Sequence, residues 1–140
     1  MPALPDLAGT VRDLAAWRGR PVLLHFFATW CAPCRPEIEA LNRLASAIAD
    51  GKLAIVSVSV AEPELRVRRF FEASPARFPV LLDADRAASR AWRVDSLPTT
   101  FLLDSGLRPR LVTETDLAWD EIGAARLLAR LSDPGGDDPV

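Results

Sequence analysis

The chain has two cysteines, Cys31 and Cys34, within Phe26-Phe27-Ala28-Thr29-Trp30-Cys31-Ala32-Pro33-Cys34-Arg35-Pro36-Glu37. An apolar run precedes them and an amphipathic run follows. A strand that ends in such a pair and turns into a helix sets the first sulfur at a helix N-terminus. There, unpaired backbone N–H groups and the helix dipole favour an anion. A thiolate is such an anion, so this arrangement lowers a cysteine pKa and makes the sulfur a nucleophile. The second cysteine, one helical turn on, is within reach to close a disulfide. Taken alone, the pair suits redox chemistry, metal binding or a structural crosslink.

The elements that must position the pair follow from the apolar pattern. Val22 to Phe27 is apolar and aromatic, bounded by Pro21 and the cysteine motif, which predicts a buried central strand. A helix is expected after Cys31 to about Ala49, with Ile38, Leu41, Leu44, Ala45 and Ile48 at helical spacing and Asp50-Gly51 closing it. Upstream, Leu4 to Val11 reads as a hairpin, and Asp13 caps a helical turn through Trp17. Downstream, Leu53 to Val60 reads as a β-branched strand. Glu64 to Ala73 follows as a helix, and Phe78 to Leu82 as a short strand. Asp83 is expected to cap a helix to about Trp92. Thr99 to Leu103 and Leu107 to Thr113 form a hairpin about Asp104-Ser105-Gly106, and Trp119 to Leu131 is a last amphipathic helix. The fold class expected is α/β, with a mixed central sheet, helices on both faces and an N-terminal hairpin extension. Residues 1–132 are expected to form a single domain. The Pro-, Gly- and Asp-rich stretch 133–140 is expected to be a disordered tail. Ligands of such sheets bind beyond the carboxyl ends of the strands, which is where Cys31 falls.

Composition narrows the chemistry. The 140 residues are 49% apolar and 26% charged, with 17 basic and 19 acidic side chains, the ordinary balance of a soluble globular protein. No basic stripe points to nucleic acid. Two cysteines in a chain this long are too few for a disulfide scaffold, so a redox or metal pair fits better. The longest apolar run, Pro21 to Ala28, is too short to span a bilayer. The first residues carry no basic n-region and no apolar h-region. We therefore expect either a cytoplasmic protein or one whose export signal or anchor was removed, and the abrupt start favours removal.

At the cysteine motif and at Leu97-Pro98-Thr99-Thr100-Phe101-Leu102, the chain resembles the thioredoxin superfamily. More closely it resembles the TlpA/ResA group of exported, usually membrane-tethered thiol–disulfide reductases. Phe78-Pro79-Val80-Leu81-Leu82-Asp83-Ala84-Asp85 adds to the likeness, which covers roughly residues 4–131. The resemblance implies that Cys31 is the exposed nucleophile and Cys34 the buried resolving thiol. Pro98 would be a cis-proline facing the disulfide, and the Leu97 backbone would pair with substrate. Trp30 is read as lining the substrate groove rather than as a core aromatic.

Three further residues carry two readings each. His25, the only histidine, stands where thioredoxin has a buried acid. It is either a satisfied structural residue or a proton acceptor for Cys34 through a water. Glu37 matches the group's Cys-x-x-Cys-x-x-Glu, and Glu62 matches a glutamate that cytochrome-maturation reductases keep near the site. Either is a solvated acid or, if buried near the sulfurs, a group that raises thiol pKa values. Two departures from the group are Phe27 in place of tryptophan and Glu39 in place of a helix-kinking proline.

The resemblance implies a thiol–disulfide oxidoreductase, most often a reductase of exported proteins such as apocytochrome c or copper-site assembly proteins. No cofactor is expected, since nothing in the chain reads as a nicotinamide or flavin site, so a partner must re-reduce the pair; in the group that donor is a membrane thiol carrier or thioredoxin. A monomer is expected. The alternative is a Cu(I)-binding metallochaperone using Cys31, Cys34 and His25. Structural zinc needs four ligands where three candidates exist. A peroxidase would need a Pro-x-x-x-Thr-x-x-Cys setting, which is absent.

Overall fold

The computed structural model describes residues 1–48 and 51–132. The expected disordered tail 133–140, and Asp50 of the expected helix stop, lie outside the described residues. The organising element is β3, Val22–Phe27, every residue of which is buried. A strand covered on both faces must be apolar on both, and this one is, apart from His25. It pairs in parallel with β4 (Ala54–Val60), which pairs in parallel with β5 (Val80–Asp83). On its other side it pairs antiparallel with β6 (Thr99–Leu103), which pairs with β7 (Pro109–Thr113). The sheet order is therefore β5-β4-β3-β6-β7. Pro109 begins an edge strand, where its missing N–H costs no ladder bond.

Alternation along β3 divides the core. Leu23 and Phe27 face one side with Ile55, Ile38, Leu41, Leu44, Val67, Trp119 and Leu127. Val22, Leu24 and Phe26 face the other with Val56, Val58, Leu14, Trp17 and Ala88. The first side is covered by α1 (Cys34–Ala47), α2 (Glu64–Phe70), α4 (Trp119–Ile122) and α5 (Ala124–Ser132). The second is covered by a 3-10 turn, Leu14–Trp17, and α3, Ala87–Ala91. His25 shares the face of Leu23 and Phe27, so the period-two rule aims it at α1.

Local chemistry sets the joints. The hairpin β1 (Leu4–Pro5) and β2 (Val11–Arg12) turns on the Asp6 carboxylate, which accepts the Ala8 and Thr10 N–H groups at 2.8 and 3.0 Å. Asp6 also bridges to Leu81, so the hairpin shields the exposed edge at β5. Asp13 caps the 3-10 turn through the Ala15 N–H. Asp83, the last residue of β5, caps α3 from a distance: its carboxylate accepts the Ala88 and Ser89 N–H groups and the Ser89 hydroxyl.

Several expected boundaries shift. The helix after the motif begins at Cys34 rather than directly after Cys31, and the helix expected to Ala73 ends at Phe70. The strand expected at Phe78 starts at Val80, and the second hairpin strand starts at Pro109 rather than Leu107. The last helix, expected to be continuous from Trp119, is broken at Gly123, whose φ of 83° and ψ of 154° lie outside helical space. The apolar period runs through the break, so spacing alone conceals it. A glycine accepts that backbone without Cβ strain, which makes the break inexpensive.

Candidate active site

The strand register brings three segments to one end of the sheet. β3 runs out at Phe27, and Ala28 to Pro33 carry the chain to α1. Phe27 pairs with Ser59, so Glu62, shortly beyond the end of β4, lies at the same end. Phe26 pairs antiparallel with Thr99, so Leu97 and Pro98 arrive there from the other side. The Leu97–Pro98 bond is cis.

Cys31 and Cys34 are joined as a disulfide, with Cα atoms 5.3 Å apart. Tight turns hold them: the Cys31 N–H donates to the Ala28 carbonyl and the Cys34 N–H to the Cys31 carbonyl, at 3.2 and 3.1 Å. Both are buried, where an exposed Cys31 is expected, because the disulfide and the turn from Ala28 to Cys34 tuck it in; Cys31 still keeps 4% of its surface and Cys34 none. Trp30 beside them is 67% exposed, an unusual position for a large aromatic side chain. It separates two concavities. One, of about 170 Å³, is bounded by Trp30, Val60 and Leu97. The other, of about 690 Å³, is bounded by Trp30, Thr29, Arg35 and Phe70.

Behind the disulfide lies a buried acid–base cluster. Glu37, in the first turn of α1, points inward from a position one turn after Cys34. Its Oε1 is 2.6 Å from His25 Nε2, and its Oε2 accepts the Leu117 N–H at 3.0 Å and the Trp119 Nε1–H at 2.9 Å. The other ring nitrogen, Nδ1, is 3.2 Å from Ser57 Oγ. His25 also stacks on Phe27, with ring centroids 5.7 Å apart. Both ring nitrogens are thus engaged, one by α1 and one by β4. The cluster joins β3, β4, α1 and the entry to α4. A second clasp lies outside it, where Arg43 Nε of α1 donates to Asp120 Oδ2 at 2.8 Å. That hydrogen bond holds the Asp120 carboxyl below its ordinary value and raises Arg43.

Glu62 is buried as well, but it serves a different segment. Its Oε1 accepts the Thr29 N–H at 2.7 Å and the Ser59 hydroxyl at 3.1 Å, and its Oε2 accepts the Thr29 hydroxyl. It fixes the two-residue approach to Cys31. Thr29, Ser57, Ser59 and Trp119 were not singled out from the sequence. Ser57 and Ser59 did leave a trace there, as small hydroxyls at alternate positions of an otherwise β-branched strand. Thr29 and Trp119 left none.

Among the described residues, no group of three or more His, Cys, Asp or Glu is arranged to hold a metal ion. His25, the third candidate ligand of the copper reading, is engaged by Glu37 and Ser57.

The same segments decide the family. Residues 2–107 match the model of the AhpC/TSA family, which spans the hairpin, the cysteine motif, the cis-proline and the strands between. The chain belongs to the AhpC/TSA family. Within it, the chain is 37% identical over 113 residues to the thiol-disulfide oxidoreductase ResA of Geobacillus thermodenitrificans, covering 80% of this chain and 65% of ResA. It is 40% identical over 105 residues to the thioredoxin-like protein YneN of Bacillus subtilis, covering 73% of this chain and 61% of YneN. This AhpC/TSA chain thus spans somewhat less than two thirds of the curated relatives it matches. A solved structure from Chlorobium tepidum, assigned as a thiol:disulfide interchange protein DsbE, superimposes with a TM-score of 0.81 at 27% identity. That superposition covers 91% of this chain and 89% of the other. The fold is thioredoxin-like, with the N-terminal hairpin added to the five-stranded sheet.

Proposed function

We propose that this protein is a thiol–disulfide oxidoreductase acting through the Cys31–Cys34 couple, and that it works as a reductase of exported protein disulfides. The observation that carries the reading is the asymmetry of the couple. Both cysteines are buried, but Cys31, next in sequence to the exposed Trp30, retains a small exposed surface and Cys34 retains none. Attack must come from the sulfur that a client can touch, so Cys31 is the nucleophile and Cys34 the resolving thiol.

The Cys31 thiolate attacks one sulfur of a client disulfide and forms a mixed disulfide. The client's other sulfur leaves as a thiolate and takes a proton. Cys34, as its thiolate, then attacks Cys31 Sγ. The second client sulfur departs, and the Cys31–Cys34 disulfide is restored. The client gains two electrons and two protons, and the protein loses the same. A dithiol donor, a membrane thiol carrier or thioredoxin, returns them. Trp30 and the Leu97–Pro98 segment bound the surface on which the client lies, with the Leu97 backbone as its pairing partner. Glu62 keeps the approach to Cys31 in place through Thr29, and the Glu37–His25 cluster lies one turn behind Cys34. In this reading both carboxylates act on the couple from fixed positions. Support for the reductive direction comes from Ala32-Pro33 between the cysteines, which resembles reductases more than oxidants.

Export is supported by likeness to ResA and to a DsbE-type protein. Among the described residues, no helix is long and apolar enough to cross a membrane. Apocytochrome c and copper-site assembly proteins are the client classes this likeness suggests. Insulin reduction tests the activity. The dithiol form should precipitate the insulin B chain, and Cys31→Ser should abolish turnover. Turnover that survives Cys31→Ser, or its absence in the wild type, would overturn the reading. Stoichiometric Cu(I) binding by the reduced protein with His25 as a ligand would instead favour a copper chaperone.

A further inference from the structure

The larger concavity beside Trp30 has a charge that the rest of the chain does not share. The whole protein carries a net charge of −2. Around this groove, however, stand Arg35 of α1 and Arg66 and Arg69 of α2, against a single acid, Glu39. Arg35 is fixed in place: its guanidinium lies 5.2 Å over the Phe70 ring and reaches the Thr29 carbonyl at 3.5 Å. Arg68 is neutralised by Glu64 one turn earlier, at 3.4 Å. Arg66 and Arg69 make no ion pair with a neighbour among the described residues, so their charge is directed outward. Between the cations the floor is apolar, formed by Ile38, Phe70 and Phe71. The groove is continuous with the disulfide, because Thr29 and Trp30, the residues just before Cys31, form its wall.

We propose that this groove is the docking site for the segment of a client protein that flanks its disulfide, and that it selects an acidic segment bearing an apolar side chain. The proposal rests on the oxidoreductase reading and adds the class of client that it prefers. An apolar residue would enter between Phe70 and Ile38, and carboxylates on either side of it would meet Arg66, Arg69 and Arg35. Such exposed charges act over about 10 Å at moderate salt, and they raise association rates more than they deepen binding. The selection should therefore appear in the second-order rate of mixed-disulfide formation and fade as salt rises.

The test is single-turnover oxidation of the pre-reduced wild-type protein, followed by tryptophan fluorescence. Three peptide disulfides of equal length supply the comparison, each with one leucine and flanked by Glu-Glu, Gln-Gln or Lys-Lys. The expected order of rate constants is Glu, then Gln, then Lys, with about a tenfold span at low salt that collapses to about twofold at high salt. The double variant Arg66→Glu/Arg69→Glu should reverse the order. Equal rates, or an order that survives charge reversal, would overturn the proposal. A salt-sensitive dimer that the double variant abolishes would assign the groove to a second copy and overturn it equally. Hydroxyethyl disulfide, small and uncharged, separates the two levels. If the wild type reduces it but shows no charge order, only the groove assignment fails. If the wild type reduces no disulfide, the oxidoreductase reading fails as well.

Discussion

His25 Nε2 lies 2.6 Å from Glu37 Oε1, and both side chains are wholly buried. One comes from the central strand and the other from the first turn of the helix that carries Cys34. The contact therefore ties the position of Cys34 to the sheet. Glu37 accepts two further N–H groups, from Leu117 and Trp119, so the same carboxylate also secures the chain's entry into α4.

Removing either partner leaves buried polar atoms unmatched, which costs more than the bond itself contributes. Glu37→Gln and His25→Leu should each lower unfolding free energy by about 2–4 kcal/mol in urea titrations. The double variant should lose about 1 kcal/mol less than the sum, because the two residues share one contact. Strict additivity would show that they act separately.

Glu62 makes its contribution at Thr29. Glu62→Ala leaves the Thr29 N–H and the Thr29 and Ser59 hydroxyls without their acceptor, and should cost about 2 kcal/mol of stability. The Thr29–Cys31 approach should loosen as well, so reduction of a small disulfide should slow several-fold. Glu62→Gln keeps one acceptor oxygen and should fall between. An Ala variant with wild-type stability would show that the carboxylate is dispensable there.

Asp120 gives a pH signature. Its hydrogen bond from Arg43 holds the carboxyl below the unfolded value of 3.8, so the clasp contributes fully above that value. The contribution is lost as pH falls through the lower folded-state value. Wild type should therefore be more stable than Asp120→Asn at neutral pH, and the two thermal midpoints should converge in strongly acidic solution, once the folded-state carboxyl is protonated. Because Arg43 is largely exposed, added salt should narrow the gap at neutral pH. A difference that is constant from neutral to strongly acidic pH would contradict this.

Much of this architecture was legible in the residues. Val22 to Phe27 is a long enough apolar run, with firm enough boundaries, to read as a central strand, and Asp13 and Asp83 announced their caps. The position of Cys31 follows from motif and element order together, whereas that of Pro98 opposite it rests on the family resemblance. What spacing could not convey was long-range pairing. Nothing near Glu37 indicates that its partners are Leu117 and Trp119, some 80 residues on, because the hydrogen bonds form only when α4 docks on α1. Gly123 interrupts a helix whose apolar period continues through it, so local pattern hides the break. The arginine groove is likewise invisible in sequence. Arg35 belongs to one helix and Arg66 and Arg69 to another, and only packing brings them together beside Trp30.

The central claim is that Cys31 alone among the two sulfurs engages the client, and trapping tests it most directly. The Cys34→Ser variant, mixed with an oxidised client, should accumulate a covalent complex whose mapped disulfide joins the client to Cys31. The Cys31→Ser variant should accumulate none over the same time. Equal trapping by both variants, or a linkage mapped to Cys34 in the second, would contradict the account.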